Sequence, residues 1–262
     1  MRNIFVTILF FGIYSGHSFC QDSLNYKSKW QTRPNYGINV PITRLLDGGR
    51  IPDNLFEYGD HSTYWQVLSV SYFFHKHWGI AINFQGMTGK NISKRAEAFL
   101  ADMNSEYENN YYVTPSTGAS YDNFNPISGN FERGFIGLIY RYEKKRLFIY
   151  PKISIGVSSF YTDWGKAILK QKNSNNLIEV SYDSGKRPND HIIMAASAAF
   201  GYKLTKRFYL NTDLMTSYYK TNITFNKKTT DLNTNVSTSE SFKYNKKVFT
   251  LSIGTGLIFV IR

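Results

Sequence analysis

The sequence predicts an all-β fold, an eight-stranded antiparallel up-and-down transmembrane β-barrel with four long loops at one end and three tight turns at the other. Residues 134–160 carry the clearest signal, because apolar residues alternate with small or polar ones on both sides of a charged turn at 143–146. Each arm of this hairpin has about 10 residues or more, beyond the ~5 to 6 of a soluble strand and close to the ~9 to 11 that cross a bilayer at a tilt. The rest of the chain repeats the pattern, and long connections alternate with short ones.

Each arm of this central hairpin has one oily face. Ile136 and Leu138 share a face on the first arm, and Ile153 and Ile155 share a face on the second arm that Ser154 opposes. Side chains alternate across a strand, so this pattern indicates strands with lipid on one side. No apolar run after the N-terminus approaches the ~18 residues of a membrane helix, and among strand structures only a closed barrel satisfies every backbone group in lipid. Strand crossing therefore predicts a barrel.

Eight strands are predicted in chain order. They lie at about 36–42, 63–74, 78–88, 135–142, 147–160, 191–202, 207–225 and 248–261. The first is the least regular, because Pro41 lacks a backbone donor and weakens a central strand. Residues 27–30, before this strand, are expected to be disordered or loosely tethered.

The connections between these strands alternate in length. The tight turns are predicted at 75–77, 143–146 and 204–206, and the long polar loops at 46–62, 89–133, 161–190 and 226–245. Within the loops, residues 94–104 predict a short helix, and residues 177–182 predict a strand that extends beyond the membrane. Short turns on one side and long loops on the other are typical of membrane barrels, whereas a soluble barrel needs no such sorting.

The N-terminus has the order of a secretory signal peptide. Arg2 precedes the apolar run 4–13, and Ser18 and Cys20 are small residues before Gln21. We expect cleavage after Cys20, which divides the chain into a signal peptide, 1–20, and a barrel domain, 21–262. Cleavage would remove the chain's single cysteine. The alternative is that Cys20 becomes the lipidated first residue of a lipoprotein.

Composition limits the function classes. Aromatic residues form 17% of the chain while the mean hydropathy is −0.35, a pairing that suits strands with one oily face and polar loops. The net charge of +12 favours anionic surroundings, such as nucleic acid, phosphorylated glycolipid or acidic headgroups. Export makes nucleic acid the weakest of these partners. The lysines are spread among turns and loops, so a solvated surface is the simpler explanation.

The signal peptide, the alternating hairpins and the last strand together resemble a small eight-stranded outer-membrane β-barrel protein of Gram-negative bacteria, over residues 21–262. The chain departs from this family at its end, Phe259-Val260-Ile261-Arg262, where members commonly finish on an aromatic residue. The resemblance implies an outer-membrane location with the three tight turns in the periplasm and the four long loops outside the cell. It further implies contact with outer-membrane lipids and lipopolysaccharide, assembly by the barrel assembly machinery, and a monomer without a cofactor. It also implies a non-enzymatic role in envelope structure or in surface recognition of an extracellular ligand through the long loops.

Polar residues on the inward faces form a predicted barrel-interior cluster. Its members are Asn83, Gln85, Arg141, Lys152, Asn211 and Asp213. A buried charge needs a partner, so Asp213 is expected to pair with Arg141 or Lys152. An interior of ~8 strands is just wide enough for side chains, which favours a structural plug. A narrow pore is the alternative.

The histidines predict no catalytic or metal-binding site. His75 and His77 flank a turn without a nearby cysteine or carboxylate, so we interpret them as solvated. His61 lies beside Ser62, and His191 lies beside Asp190. Some barrels of this size resemble lipid A-modifying enzymes that use His, Ser and an acid, so an enzyme built on His61 or His191 stays an alternative. A triad is defined by geometry more than by sequence position.

Overall fold

The computed structural model describes residues 30–43, 62–88, 92–113, 131–160, 165–183 and 189–261. This part of the chain contains one helix and a sheet of 14 strands. The strands are β1 Trp30–Thr32, β2 Asn35–Pro41, β3 Ser62–Gln66, β4 Ser69–Phe73, β5 Trp78–Thr88, β6 Tyr111–Val113, β7 Phe131–Tyr140, β8 Tyr142–Lys144, β9 Leu147–Phe160, β10 Gly165–Gln171, β11 Leu177–Asp183, β12 Asn189–Lys203, β13 Phe208–Asp231 and β14 Ser237–Ile261. The helix is α1, Ile92–Tyr107. None of the helical structure described here is long and apolar enough to cross a membrane.

All recorded strand pairings are antiparallel. From β5 the pairings run through β7, β9, β12 and β13 to β14. β14 pairs in turn with β1 and β2, which pair with β4 and β3, and both of these pair with β5. The antiparallel all-β prediction is confirmed, although the wall of the sheet is divided into more segments than the eight predicted strands.

The two faces of the central hairpin lie as predicted. On β9, Ile153 and Ile155 are 60% and 50% exposed, while Lys152, Ser154 and Ser158 are buried. The same alternation continues around the sheet. Large apolar side chains are exposed on β1, β2, β3, β5, β7, β9, β12, β13 and β14, including Trp30, Ile38, Trp65, Ile80, Ile136, Ile155, Met194, Leu210 and Ile253. The sheet therefore has one oily exposed face and one buried face.

The beginning of the sheet differs from the prediction. Trp30 was expected in a loose N-terminal segment and the first strand from residue 36, but β1 already pairs Trp30 with Ile261 and with Tyr72. Pro41 is the last residue of β2, so its missing donor costs little where the strand ends.

The predicted strand at 63–74 is divided in two. β3 pairs with β5 as Trp65 with Gly86, but β4 pairs with β5 one position out of step, as Ser69 with Asn83. The extra residue lies at Val67 and Leu68, which are both exposed. This is a β-bulge, and it explains why buried residues are even-numbered in β3 and odd-numbered in β4.

Several predicted loops carry regular structure. The helix predicted at 94–104 is confirmed as α1 and is longer, and the strand predicted at 177–182 is confirmed as β11. Two expectations were wrong. Residues 165–171 form β10, within the loop predicted at 161–190, and the loop predicted at 226–245 consists mostly of β13 and β14, which stay paired out to Thr230 and Ser237. The predicted loop at 46–62 and the signal peptide fall outside the described residues, apart from Ser62 in β3.

Candidate functional site: the polar layer of the buried face

The six residues of the predicted cluster are all buried, but they do not form one group. Asn83, Gln85, Lys152, Asn211 and Asp213 lie in one layer of the buried face. Arg141 lies elsewhere, beside the tight turn between β4 and β5. Its Nε donates to the Lys76 carbonyl at 3.0 Å, and its guanidinium lies 4.2 Å from the centre of the Phe73 ring. It therefore belongs to the turn end of the sheet.

Asp213 is bound by residues outside the predicted cluster, and Lys152 lies within electrostatic range of the same carboxylate. Arg33 Nη1 lies 4.0 Å from Asp213 Oδ2, and Asn35 Nδ2 donates to the same oxygen at 3.2 Å. Asn211 Nδ2 then donates to Asn35 Oδ1 at 3.1 Å. The carboxylate of Asp213 on β13 is thus held by Arg33, which follows β1, and by Asn35 at the start of β2. Strand β14 lies between β13 and these two strands. The recorded salt bridge of Asp213 is with Arg33 rather than with Arg141 or Lys152.

Lys152 belongs to a second chain of contacts. When the Asn83 amide is oriented with its oxygen toward Lys152, the Lys152 ammonium donates to that oxygen at 2.5 Å. Gln85 Nε2 donates to Gln66 Oε1 at 3.2 Å, and Gln66 Nε2 donates to the Arg33 carbonyl at 3.0 Å. These bonds connect β3 and β5 to the end of β1, so the polar layer joins strands that are distant in sequence.

Sequence reasoning missed Arg33, Asn35 and Gln66. The signal for the first two was present, because Gln31, Arg33 and Asn35 alternate with Trp30, Thr32 and Pro34 in a strand-like period of two. The predicted loose segment ends at residue 30 and the first predicted strand begins at residue 36, so residues 31–35 were assigned to neither. Gln66 was missed because the bulge after it shifts the buried face by one residue.

Apolar clusters lie on both sides of the polar layer, as β13 shows most simply. Tyr209 packs in a cluster at the tight-turn end, Asn211 and Asp213 follow in the polar layer, and Met215 belongs to the cluster on the opposite side. The turn-end cluster consists of Phe73, Ala81, Ile139, Phe148, Tyr150, Ala199, Tyr209, Ile258 and Val260. Charged groups are consequently enclosed between two apolar layers.

The turn-end layer contains a partly buried ionic contact. The Glu143 carboxylate accepts hydrogen bonds from the Tyr150 hydroxyl and the Lys203 ammonium. Lys203 also lies 5.4 Å from the centre of the Tyr209 ring. Each charge has a partner there, which is the condition for burying ions at low cost.

Helix α1 covers the buried face at the opposite end. Phe99 and Met103 are fully buried in one cluster with Ile223 and Phe225 of β13 and with residues of β10 and β11. Lys227 adds an ion pair, since its Nζ lies 2.7 Å from Glu106 Oε1. The helix therefore packs through both apolar and charged contacts on β10, β11 and the part of β13 that is farthest from the tight turns.

The charge at this end is stabilised by its neighbours. Burial alone lowers the pKa of Lys227, but hydrogen bonds to Glu106 and Tyr107 outweigh burial, and the net effect is a raised pKa. Burial raises the pKa of Tyr107 and, to a larger extent, that of Tyr182. Lys227 is therefore a stable cation and the two tyrosines stay neutral at physiological pH.

His77 and His191 make separate contacts in different parts of the sheet. His77 Nδ1 lies 2.9 Å from the Arg141 carbonyl in the turn, and His191 stacks 6.3 Å from the Tyr219 ring. Asp190 accepts a hydrogen bond from the Ser159 hydroxyl at 2.6 Å. No group of three or more His, Cys, Asp and Glu residues with metal-binding geometry occurs within the described ranges, and His61 lies outside them.

No protein-family model and no curated protein matches the sequence. Several solved structures are similar to it. They include a major outer membrane protein from Thermus thermophilus (12% identity, 90% of this chain and 100% of that chain, TM-score 0.41) and the outer membrane protein AlkL in DMPC lipid bilayers (16%, 94% and 97%, 0.37). A third is the outer membrane protease OmpT from Escherichia coli (11%, 77% and 64%, 0.34).

Proposed function

We propose that this protein is a non-enzymatic integral outer-membrane protein whose sheet closes into an eight-stranded transmembrane barrel. Its proposed role is envelope support, or surface recognition by the structure above the barrel. The observation that carries the proposal is the pair of opposite faces, because large apolar side chains are exposed all around the sheet while Lys152, Asp213 and Arg33 are buried. A soluble protein buries its apolar residues, whereas a barrel in lipid exposes them.

The pairing register supports a closed wall of eight positions. Direct neighbours from strand to strand form one row on the buried face: Thr250, Ser217, Ala195, Ser154, Gly137, Ala81, Ser71, Gln31 and Val260. The row takes eight steps and returns to β14 ten residues beyond its start. For eight strands with about 3.3 Å per residue and 4.8 Å between strands, this offset corresponds to a tilt of about 40°, within the range of membrane barrels.

The exposed face has the height and edges of a membrane band. On β9 the exposed apolar residues run from Leu147 to Val157. At this tilt they span about 25 Å, the usual height of the apolar band. Aromatic pairs lie at both edges: Trp30–Tyr72, Trp78–Tyr140 and Phe208–Phe259 near the tight turns, and Tyr218–Phe249 on the opposite side. Such rings are typical of the two membrane interfaces.

The filled interior supports a structural plug over a conducting path. The polar layer lies between two apolar clusters, and α1 contributes Phe99 and Met103 to the cluster farther from the tight turns. Eight strands leave room for side chains and little more.

Fractionation and heat-modifiable electrophoresis test the proposal. We expect the protein in the outer-membrane fraction, and we expect the unheated, detergent-extracted protein to migrate faster than the boiled one because the barrel stays folded. Recovery in the soluble periplasmic fraction would overturn the proposal. Lipid A from a deletion strain should have an unchanged mass, and a mass change would instead favour an enzyme that modifies lipid A.

A further inference from the structure

We infer that Lys220 and Lys247 form a binding site for the phosphate groups of an outer-leaflet glycolipid, an inference that rests on the proposed function. The two lysines are direct cross-strand neighbours on β13 and β14. Both are exposed, and the adjoining Tyr219 and Val248 are buried, so both ammonium groups lie on the lipid-facing side of the wall.

The level of this pair in the wall identifies the membrane interface. Immediately below it on the same face, Tyr218 and Phe249 form the aromatic pair, with ring centres 4.8 Å apart. Below these rings the face becomes apolar at Leu251 and Ile253, and above the pair Asn222 is paired with Asn245. The lysines thus occupy the step between hydrocarbon and headgroups, on the side away from the tight turns. In the proposed orientation this is the outer leaflet.

Neither lysine forms a salt bridge within the described part of the chain. Like charges directly opposite each other on a sheet are destabilising. Register places the exposed Asp190 of β12 nearby, where its carboxylate also accepts the Ser159 hydroxyl, but one negative charge can compensate at most one of the two ammonium groups. Thr43, from the segment after β2, bonds only to backbone atoms, since its hydroxyl donates to the Lys247 carbonyl and accepts from Phe249 N–H.

A phosphorylated headgroup satisfies this arrangement. A phosphate can accept hydrogen bonds from both ammonium groups and remove their repulsion, while the acyl chains of the same molecule lie along the aromatic pair and the apolar face below. A free phosphate would accept the hydrogen bonds from the ammonium groups but would make no apolar contacts with the aromatic pair and the face below. The geometry therefore favours a lipid ligand over the free anion.

The test is a titration of purified, folded protein in neutral detergent, with bound lipid counted by native mass spectrometry. The probes are bis-phosphorylated lipid A, dephosphorylated lipid A and inorganic phosphate. We compare the wild type with the double variant Lys220→Gln/Lys247→Gln. The matched control is Lys170→Gln/Lys228→Gln, which removes the same charge from exposed positions farther from the aromatic pair.

We expect the wild type to prefer phosphorylated lipid A. The site variant should bind it on the order of 10- to 30-fold more weakly, the effect of two basic residues at a membrane surface, whereas the control should change less than about 2-fold. Without lipid, the site variant should melt at the same temperature as the wild type or higher, because a repulsion has been removed. A residue with a purely structural role would lower the melting temperature with and without lipid.

Three results would overturn the inference: equal binding of the dephosphorylated lipid, unchanged affinity in the site variant, or inorganic phosphate binding as tightly as the lipid. Heat-modifiable migration of each variant separates these results from a failure of the proposed function. If the protein is heat-modifiable but does not prefer phosphorylated lipid A, the lysine site is refuted and the proposed barrel stands. If the protein does not fold in detergent or bilayers, both the proposed function and the lysine site are refuted.

Discussion

Asp213 is the residue on which the polar layer depends most. Its carboxylate lies 4.0 Å from the Arg33 guanidinium and accepts a hydrogen bond from Asn35. Both charged side chains are nearly fully buried, so removal of one leaves the other without compensation. Buried pairs contribute little net stability, yet they are costly to break from one side.

The first prediction tests this asymmetry. Asp213→Ala should lower the free energy of unfolding by about 3–5 kcal/mol, because the Arg33 charge stays buried and unpaired. The double variant Arg33→Met/Asp213→Leu, which removes both charges, should recover most of that loss. Urea titration of the protein refolded in lipid vesicles, followed by tryptophan fluorescence, measures both. Equal losses in the single and double variants would contradict a role for the pair.

The second prediction concerns the lipid-facing side of β9. Ile155→Arg should cost about 2–4 kcal/mol, because the charge has no partner in hydrocarbon near the midplane. The control Ile155→Val keeps the surface apolar and should cost about 1 kcal/mol or less. The same vesicle titration applies. If arginine at 155 is tolerated as well as valine, this face of β9 does not contact lipid.

At the scale of elements, α1 is held by a small number of buried side chains. Phe99 is 1% exposed and contacts the Tyr182 ring edge-on, with centres 6.2 Å apart. Phe99→Ala should release the helix, since loss of a buried phenylalanine costs about 3–5 kcal/mol, more than a single helix gains alone. We expect faster trypsin cleavage at Lys94 and Arg95, with heat-modifiable migration retained.

The matched control for α1 is Glu97→Ala, at an exposed position of the same helix. It should leave the cleavage rate unchanged. Equal cleavage rates in wild type and Phe99→Ala would show that the helix does not depend on this contact.

The turn between β13 and β14 provides a pH-dependent element. Asp231 Oδ1 accepts from the backbone N–H of Asn233 at 2.8 Å and of Thr234 at 3.0 Å, and Oδ2 accepts from Asn176 Nδ2 at 3.1 Å. The Thr234 backbone bond, with the Asn176 bond next, holds the pKa of Asp231 below its ordinary value of 3.8. The ionised form is therefore favoured in the folded turn.

Because the pKa of Asp231 is lower in the folded turn than in the unfolded chain, its carboxylate stabilises the turn fully at pH values above the unfolded pKa. This stabilisation is lost as the pH falls through the pKa of the folded state. We expect hydrogen-exchange protection of Asn233 and Thr234 to be constant above about pH 5 and to decline below about pH 4. Asp231→Asn keeps an acceptor that does not titrate, so its protection should be independent of pH over this range. The same decline in the variant would exclude Asp231 as the cause.

At the scale of the whole molecule, the proposed barrel has two different ends. Three tight turns lie at one end, while α1, β10, β11 and the upper parts of β13 and β14 lie at the other. If the turns lie in the periplasm, an epitope tag inserted after Thr234 should be labelled by antibody on intact cells. A tag after Thr205, in a tight turn, should be labelled only after the outer membrane is opened. The reverse pattern would refute this orientation.

Local periodicity made much of the wall predictable. The alternation of Ile153 and Ile155 with Ser154 repeats every two residues and depends only on which face meets lipid, so the exposed and buried faces of the central hairpin could be assigned from sequence. The turns at 75–77 and 204–206 and the helix α1 were predictable for the same reason, since each depends on a few neighbouring residues.

Pairings that depend on closure and packing could not be predicted from a local pattern. The partner of Asp213 is decided by how β1 and β2 meet β14, and the hydrogen bond between Asn35 and Asp213 joins residues 178 positions apart. The bulge at Val67 and Leu68 changes which residues are buried without changing the composition. Residues 226–245 of β13 and β14 are polar enough to resemble a loop, although Tyr244 lies in the cluster that includes α1 and Phe242 packs against it. The sequence by itself determined which side of each wall strand is oily, whereas the tertiary structure decided which charges meet and where the strands end, because those contacts exist only once distant segments are in register.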